Sequence, residues 1–336
     1  MRTECKIDFE LKPIAGLCQL VMLALAVFAP VFAYAQPPVV PPDAIEQFHH
    51  LVGSRIEAMT VLGGDIGAVG GFYTFRGGSN ADVNITKIGG GGMVASPSPL
   101  GVGDLKWAPV LQGNIGYALI GNNFTTGYLQ GNSNNYTVYA LQAGGGARFF
   151  FTDSFSLAPA FSGIFGRIIN DFIPSNANGD WIKENTKGTF VDWNTDTWSI
   201  VPSLDLRYTH QFRWVNFEFR SRYSFFHTES FESSSVEVDL DGDSSTWENK
   251  LNLDVPLGWM LFKRELHTGG FFSLTELFGD VADGMNENRI YTVNGRFVLD
   301  VLGKIYKTRW VGVGSSFFWG EHFSGWSVGV DMRLQF

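Results

Sequence analysis

GWSVGVDMRLQF, residues 325–336, is the stretch on which the fold turns. Trp326, Val328, Val330, Met332, Leu334 and Phe336 fall on alternate positions, with Ser327, Gly329, Asp331, Arg333 and Gln335 between them. Successive side chains of a β-strand point to opposite faces. One face of this strand is therefore apolar and aromatic, and the other is small or charged. Lipid on one side and a wet lumen on the other match that division, which predicts a strand of a transmembrane β-barrel. A soluble β-sandwich also alternates, so the remainder of the chain has to discriminate.

The front of the chain points across a membrane. Residues 1–12 are polar and mixed in charge, and an apolar run follows from Ile14 to Phe32, broken by Pro30. Ala33-Tyr34-Ala35 then supplies the small-x-small pattern of a cleavage site, which predicts a signal peptide over 1–35 cut before Gln36. A helical anchor is the alternative; Pro30 and the cleavage pattern oppose it. Leu17 before Cys18 makes a poor lipoprotein site. Cys5 and Cys18 both leave with the signal, so the mature chain is expected to have no disulfide, thiolate metal ligand or Cys nucleophile. Three basic and three acidic residues leave with it, and the net charge stays −9. That balance argues against nucleic acid as a partner.

After Gln36 no apolar run is long enough to cross a bilayer as a helix. Yet the chain holds 30 Phe, 10 Trp, 10 Tyr and 40 Gly, a composition suited to aromatic girdles and small inward residues. Residues 36–64 read as a proline-rich arm and a helix. Asp43 and Glu46 resemble a capping box, Ile45, Phe48, Val52, Ile56 and Met59 recur at helical spacing, and Gly63-Gly64 end the pattern.

Residues 65–336 read as a barrel of about twelve antiparallel strands. They lie near 65–76, 82–92, 107–120, 136–151, 155–168, 198–210, 215–225, 250–257, 266–277, 291–300, 310–319 and 325–336. In the seventh, Val215, Phe217, Phe219, Tyr223 and Phe225 alternate with Asn216, Glu218, Arg220 and Arg222. Twelve is even, as bacterial barrels require. The joints give an independent test. If the first strand rises from the periplasm, the joints after even strands are periplasmic and should be short, and they are, at 96–104, 152–154, 211–213, 259–264 and 301–308. Long polar joints follow odd strands, at 121–135, 170–195, 228–246 and 278–288, with a hairpin tip expected at Asp241-Gly242. A miscounted strand would reverse this pattern from that point on.

The stretch from Gly312 to Glu321 followed by Phe323 to Val330 resembles the closing hairpin of the solitary autotransporter-type outer-membrane barrels. The likeness extends over roughly Asp43 to Phe336. It implies an outer-membrane barrel without a passenger, embedded in lipid and lipopolysaccharide. It also implies delivery by periplasmic chaperones to the barrel-assembly machinery, with Trp326, Val328, Val330, Met332, Leu334 and Phe336 as the assembly signal. The helix is then a plug in the lumen; a helix under the periplasmic rim is the other reading.

Inward parity collects one charged set as the candidate site: Asp205, Arg207, Glu218, Arg220, Arg222, Arg296, Asp300, Asp331 and Arg333. It is either a set of pairs that satisfy one another or an ion-selective constriction. No enzyme is expected. A hydrolase would need His227 with Ser224 or Ser230 at the outer rim, and no spacing matches a nucleophile motif. No metal or cofactor is expected either. Asp239 to Asp243 looks calcium-like, but its Gly and Glu248 fall at the wrong loop positions. His49 and His50 point in different directions on a helix. Gly89 to Gly92 lack the Lys-Ser/Thr of a phosphate loop and are expected to keep the lumen clear. The leading expectation is a non-enzymatic, occluded barrel with surface-exposed loops; the alternative is a passive small-solute pore.

Overall fold

The computed structural model describes residues 67–334 apart from 76–80, 96–99, 103–104, 125–129, 235–237, 239 and 302–307. The signal segment, the proline-rich arm, the expected helix with Ile45, Phe48, Val52, Ile56 and Met59, and Phe336 lie outside the described residues. The strands are β1 (Gly67–Phe75), β2 (Ala81–Ala95), β3 (Leu100–Val102), β4 (Leu105–Phe124), β5 (Ser133–Phe150), β6 (Phe155–Ile173), β7 (Asn194–Gln211), β8 (Asn216–Ser233), β9 (Asp241–Leu261), β10 (Arg264–Gly279), β11 (Arg289–Asp300), β12 (Thr308–Trp319) and β13 (Phe323–Leu334). Helix α1 (Ala177–Thr186) lies between β6 and β7, and α2 (Asp280–Met285) between β10 and β11.

Neighbouring strands pair antiparallel, β2 pairs directly with β4, and β1 pairs with β13. The sheet thus closes into a twelve-stranded barrel, with β3 outside the ring and bonded to the start of β4. Closure leaves no open edge, which is the condition for strands to cross a bilayer. Strands three to twelve of the sequence reading are β4 to β13. The terminal strand seals the ring, Phe72 lying opposite Trp326 and Val69 opposite Gly329.

Parity sorts the side chains as alternation requires. Leu111, Ile115, Phe161 and Phe165 are exposed on the outer face. On the inner face the Asn114 Nδ2 donates to Gln142, whose Nε2 donates to the Ser162 hydroxyl at 2.8 Å. Aromatic pairs ring the outside, among them Tyr117–Tyr139 at 5.2 Å and Phe151–Phe155 at 5.7 Å. The glycine run of β2 serves close approach: a Cβ on Gly91 would lie 2.1 Å from the Gly113 carbonyl of β4. That contact between neighbouring strands is what the described structure requires of Gly91.

The strands run further outward than their alternation suggested. β6 reaches Ile173 and β7 begins at Asn194, so the expected loop 170–195 shrinks to a segment that contains α1. Asp241-Gly242 is not a hairpin tip. It opens β9, with Glu229 opposite Asp241 and Thr228 opposite Gly242. A barrel crosses lipid in roughly 9–11 residues per strand, whereas β4 has 20 and β9 has 21. Outer-face ion pairs mark where lipid ends. Arg167–Asp196 at 3.6 Å, His227–Asp243 at 2.8 Å and Glu276–Arg289 at 3.2 Å would be costly in hydrocarbon, so the wall above them stands outside the membrane.

Candidate functional site in the lumen

Two layers fill the inside of the wall. The lower layer is charged. Asp205 on β7 is fully buried, and Arg148 on β5 donates from Nη2 to its carboxylate at 2.8 Å. The Arg220 Nε donates to the other oxygen of the same carboxylate. Two guanidiniums on one carboxylate offset much of the cost of removing the charges from water. Next to this triad Arg207 pairs with Glu218 at 3.5 Å. The expected neighbours Asp205, Arg207, Glu218 and Arg220 are thus brought together as partners.

The rest of the expected set divides. Arg222 stands directly between Asp205 and Glu248 in register, but its Nε is buried without an acceptor. Arg296 lies on another part of the wall, where it donates to Asn252 at 3.3 Å and sits 5.8 Å from the Trp310 ring. Asp300 ends β11 opposite Trp310. Asp331 and Arg333 hold inward parity on β13, and their side chains lie outside the described set.

Sequence reading did not gather Arg148, Glu248, Lys250, Asp254 and His267 into this set, although Lys250 and Asp254 alternate with outward Leu251 and Leu253. Lys250 lies 3.4 Å over the Phe271 ring, and the Asp254 carboxylate is 3.2 Å from His267 Nδ1. The signal was present for Arg148, which alternates with outward Phe149. A cavity of about 610 Å³ is lined by Glu248, Lys250 and Asp254 together with Arg207, Glu218, Arg220 and Arg222. It reaches from Asp153 and Gln211 at the periplasmic turns to Ile290 and Phe318.

The upper layer is apolar. Tyr73, Ile85, Ile120, Tyr136, Val138, Ile168, Leu277, Ile290 and Phe318 point inward from the strands and form one buried cluster with Trp193, Val238, Leu240, Val281, Ala282 and Met285. The last six belong to the outer loops and α2. Loop segments therefore fold down into the outer mouth and pack on the wall. Specific bonds hold them. The Val281 N–H donates to the Ser244 hydroxyl at 3.0 Å, the Leu240 N–H to the Ser230 hydroxyl at 2.9 Å, and Lys183 pairs with Asp192 at 3.2 Å. Buried Glu287 accepts from the Glu321 N–H at 3.0 Å and from the His322 N–H, which fastens the last outer turn to the end of α2.

The rim histidine forms no nucleophile pair. Ser224 is buried on the inner face, whereas His227 lies on the outer face with Asp243 at 2.8 Å and Glu229 at 3.1 Å. The Ser230 hydroxyl accepts from Leu240. In the calcium-like stretch Asp243 is taken by His227, and Glu248 has the opposite parity and lines the cavity. Among the described residues no group of metal-ligating side chains is assembled.

Comparison with solved structures gives barrels. The beta domain of the Bordetella autotransporter BrkA is 14% identical, covering 80% of this chain and 99% of that one with a TM-score of 0.49. The transport unit of the autotransporter AIDA-I from Escherichia coli is 9% identical, covering 85% and 99% with a TM-score of 0.50. The translocator domain of the autotransporter NalP from Neisseria meningitidis is 12% identical, covering 88% and 98% with a TM-score of 0.46. Such likenesses concern the fold alone. No curated protein matches the chain. The family model described as the solitary outer membrane autotransporter beta-barrel domain matches residues 99–330, from the annex strand β3 to the middle of β13. With that span matched and the ring closed by the predicted terminal strand, the chain belongs to the solitary outer-membrane autotransporter β-barrel family.

Proposed function

We propose that this autotransporter-type barrel of the bacterial outer membrane is non-catalytic and closed toward the outside, and that its wet lumen faces the periplasm. The observation that carries the reading is the apolar cluster in the outer mouth, where Trp193, Leu240 and Val281 pack on inward strand residues above the charged layer. Water and ions cross a dry, packed apolar layer poorly, and hydrophobic constrictions gate pores in this way. The separation of Ser224 from His227 across the wall supports the absence of chemistry at the rim. The exposed outer-face residues of β13, Trp326, Val328 and Val330, are what lipid and the barrel-assembly machinery meet during insertion.

Single-channel conductance in planar bilayers tests this. Mature protein is expected to stay closed, and a Leu240→Asp/Val281→Asp variant is expected to conduct. Stable conductance from the mature protein sinks the closed reading and makes the barrel a passive pore.

A further inference from the structure

We infer that the lumenal cavity beneath the outer lid is a binding site for a small carboxylated, hydroxyl-rich solute, a sugar acid in chemical class, with Arg222 as the carboxylate receptor. This rests on the proposed reading in one respect, that the lumen is open to the periplasm, where the cavity extends to the turns at Asp153 and Gln211.

The charges of the lower layer are unequally matched. Asp205 is saturated by Arg148 and Arg220, and Glu218 is paired with Arg207. Arg222 projects into the same cavity, and it has neither an ion pair nor a hydrogen bond among the described residues. Its register neighbours are carboxylates, Asp205 and Glu248, so an ion pair was within sequence reach and is not made. A buried guanidinium edge with no acceptor needs one from solvent or from a solute. A carboxylate fits best, because its two oxygens match the guanidinium fork.

Other parts of the cavity favour a hydroxylated solute over a bare ion. Asn294 lines it with its Oδ1 buried and without a donor, while the Asn252 amide is bonded to Arg296 and Glu218. Trp310 supplies ring surface on the same wall, Lys250 lying over Phe271, and an aromatic face covers the apolar face of a sugar ring while its hydroxyls donate to an acceptor such as the Asn294 oxygen. The volume, about 610 Å³, lies within the range of about 300–1,000 Å³ usual for small-molecule sites.

The test is isothermal titration of full mature protein, folded in detergent micelles, with glucuronate, glucose and inorganic phosphate. Glucuronate is expected to bind, glucose and phosphate each at least about ten-fold more weakly, since a charge-assisted pair is worth about that factor. Arg222→Gln is expected to weaken glucuronate by about ten-fold or more, while Arg289→Gln on the outer surface leaves it unchanged. Folding of each variant is read from its heat-modifiable mobility. If Arg222→Gln does not fold, Arg222→Lys takes its place; it keeps the charge, loses the fork and is expected to weaken binding by about three-fold or more. No heat with glucuronate, equal binding of glucose, phosphate binding as tight as glucuronate, or a folded Arg222 variant that binds as wild type each overturns the proposal. A conducting protein with intact glucuronate binding would sink the closed-barrel reading alone.

Discussion

Asp205 and Arg222 sit opposite one another on adjacent strands, yet their substitution should have unlike consequences. Asp205 is held by Arg148 and Arg220. Removing its charge in Asp205→Asn leaves two buried guanidiniums facing each other, and breaking such a buried set costs about 3–5 kcal/mol. Urea unfolding of the barrel in vesicles should show a loss of that size, and a midpoint equal to wild type would mean that the triad adds nothing. Arg222→Gln removes no partner and is expected within about 1 kcal/mol of wild type by the same measurement. At the rim, outside the membrane-crossing part of β8, His227 has its pKa raised above the ordinary value of 6.5, first by the Asp243 hydrogen bond and then by that of Glu229. The protonated form is the one the folded state favours. Its contribution is fully present below the unfolded value and is lost as pH rises through the higher folded one. The imidazole resonance of His227 should therefore titrate above pH 6.5, and Asp243→Asn should bring it down; a midpoint at or below 6.5 would show that neither carboxylate engages the ring in solution.

At the level of elements, the connecting segments matter more than the strands. Gly279 caps α2 at φ 71° and ψ −149°, and a Cβ there would lie 2.4 Å from the Asp243 carbonyl. Only glycine adopts that region freely. Gly279→Ala should displace α2 from the outer mouth, costing about 1–3 kcal/mol and raising the frequency of channel openings in bilayers; unchanged gating would separate α2 from the closure. On the other side of the membrane the β9–β10 turn uses Phe262 and Lys263 at φ 52° and 61°. Two-residue hairpin turns of this kind favour Asn-Gly, so Lys263→Gly should stabilise the barrel by about 1 kcal/mol. Strands within the lipid band were legible because lipid enforces alternation: Tyr223 outward, Arg222 inward. Their outer ends were not, because above the bilayer both faces meet water and the contrast between them fades, as from Thr228 to Ser233. The inner cap was hidden for a related reason. Val191 alternates with Trp193, and Val236 with Val238 and Leu240, but these short runs lie in stretches otherwise polar, and alternation alone does not tell a segment folded into the mouth from one standing in water. For the charged layer, parity placed Asp205, Arg207, Glu218 and Arg220 on one wall. The pairing of Asp205 with Arg148, 57 positions away, depends on how two non-adjacent strands curve toward each other.

For the whole molecule, the position of the membrane follows from where the outer face tolerates charge. On β6 the lower aromatic belt is at Phe155 and the first outer-face ion pair is at Arg167. At about 3.3 Å per residue and a tilt near 40°, that interval spans about 30 Å along the bilayer normal, close to the thickness of the hydrocarbon band. Phe161 is halfway between, and Phe231 on β8 lies beyond His227 and Glu229, above the same boundary. The two are matched in exposure, 58% and 57%, so accessible area alone cannot tell them apart. Lipid can. An arginine facing hydrocarbon near the midplane costs about 2–4 kcal/mol in such barrels and about 0–1 near the interface. Phe161→Arg should therefore lower the unfolding free energy in lipid vesicles by about 2–4 kcal/mol, while Phe231→Arg stays within about 1 kcal/mol of wild type. Equal costs at the two positions would place the charged rim inside the bilayer, and the extended wall from β4 to β9 would then be a thick hydrophobic belt instead of a collar standing in water.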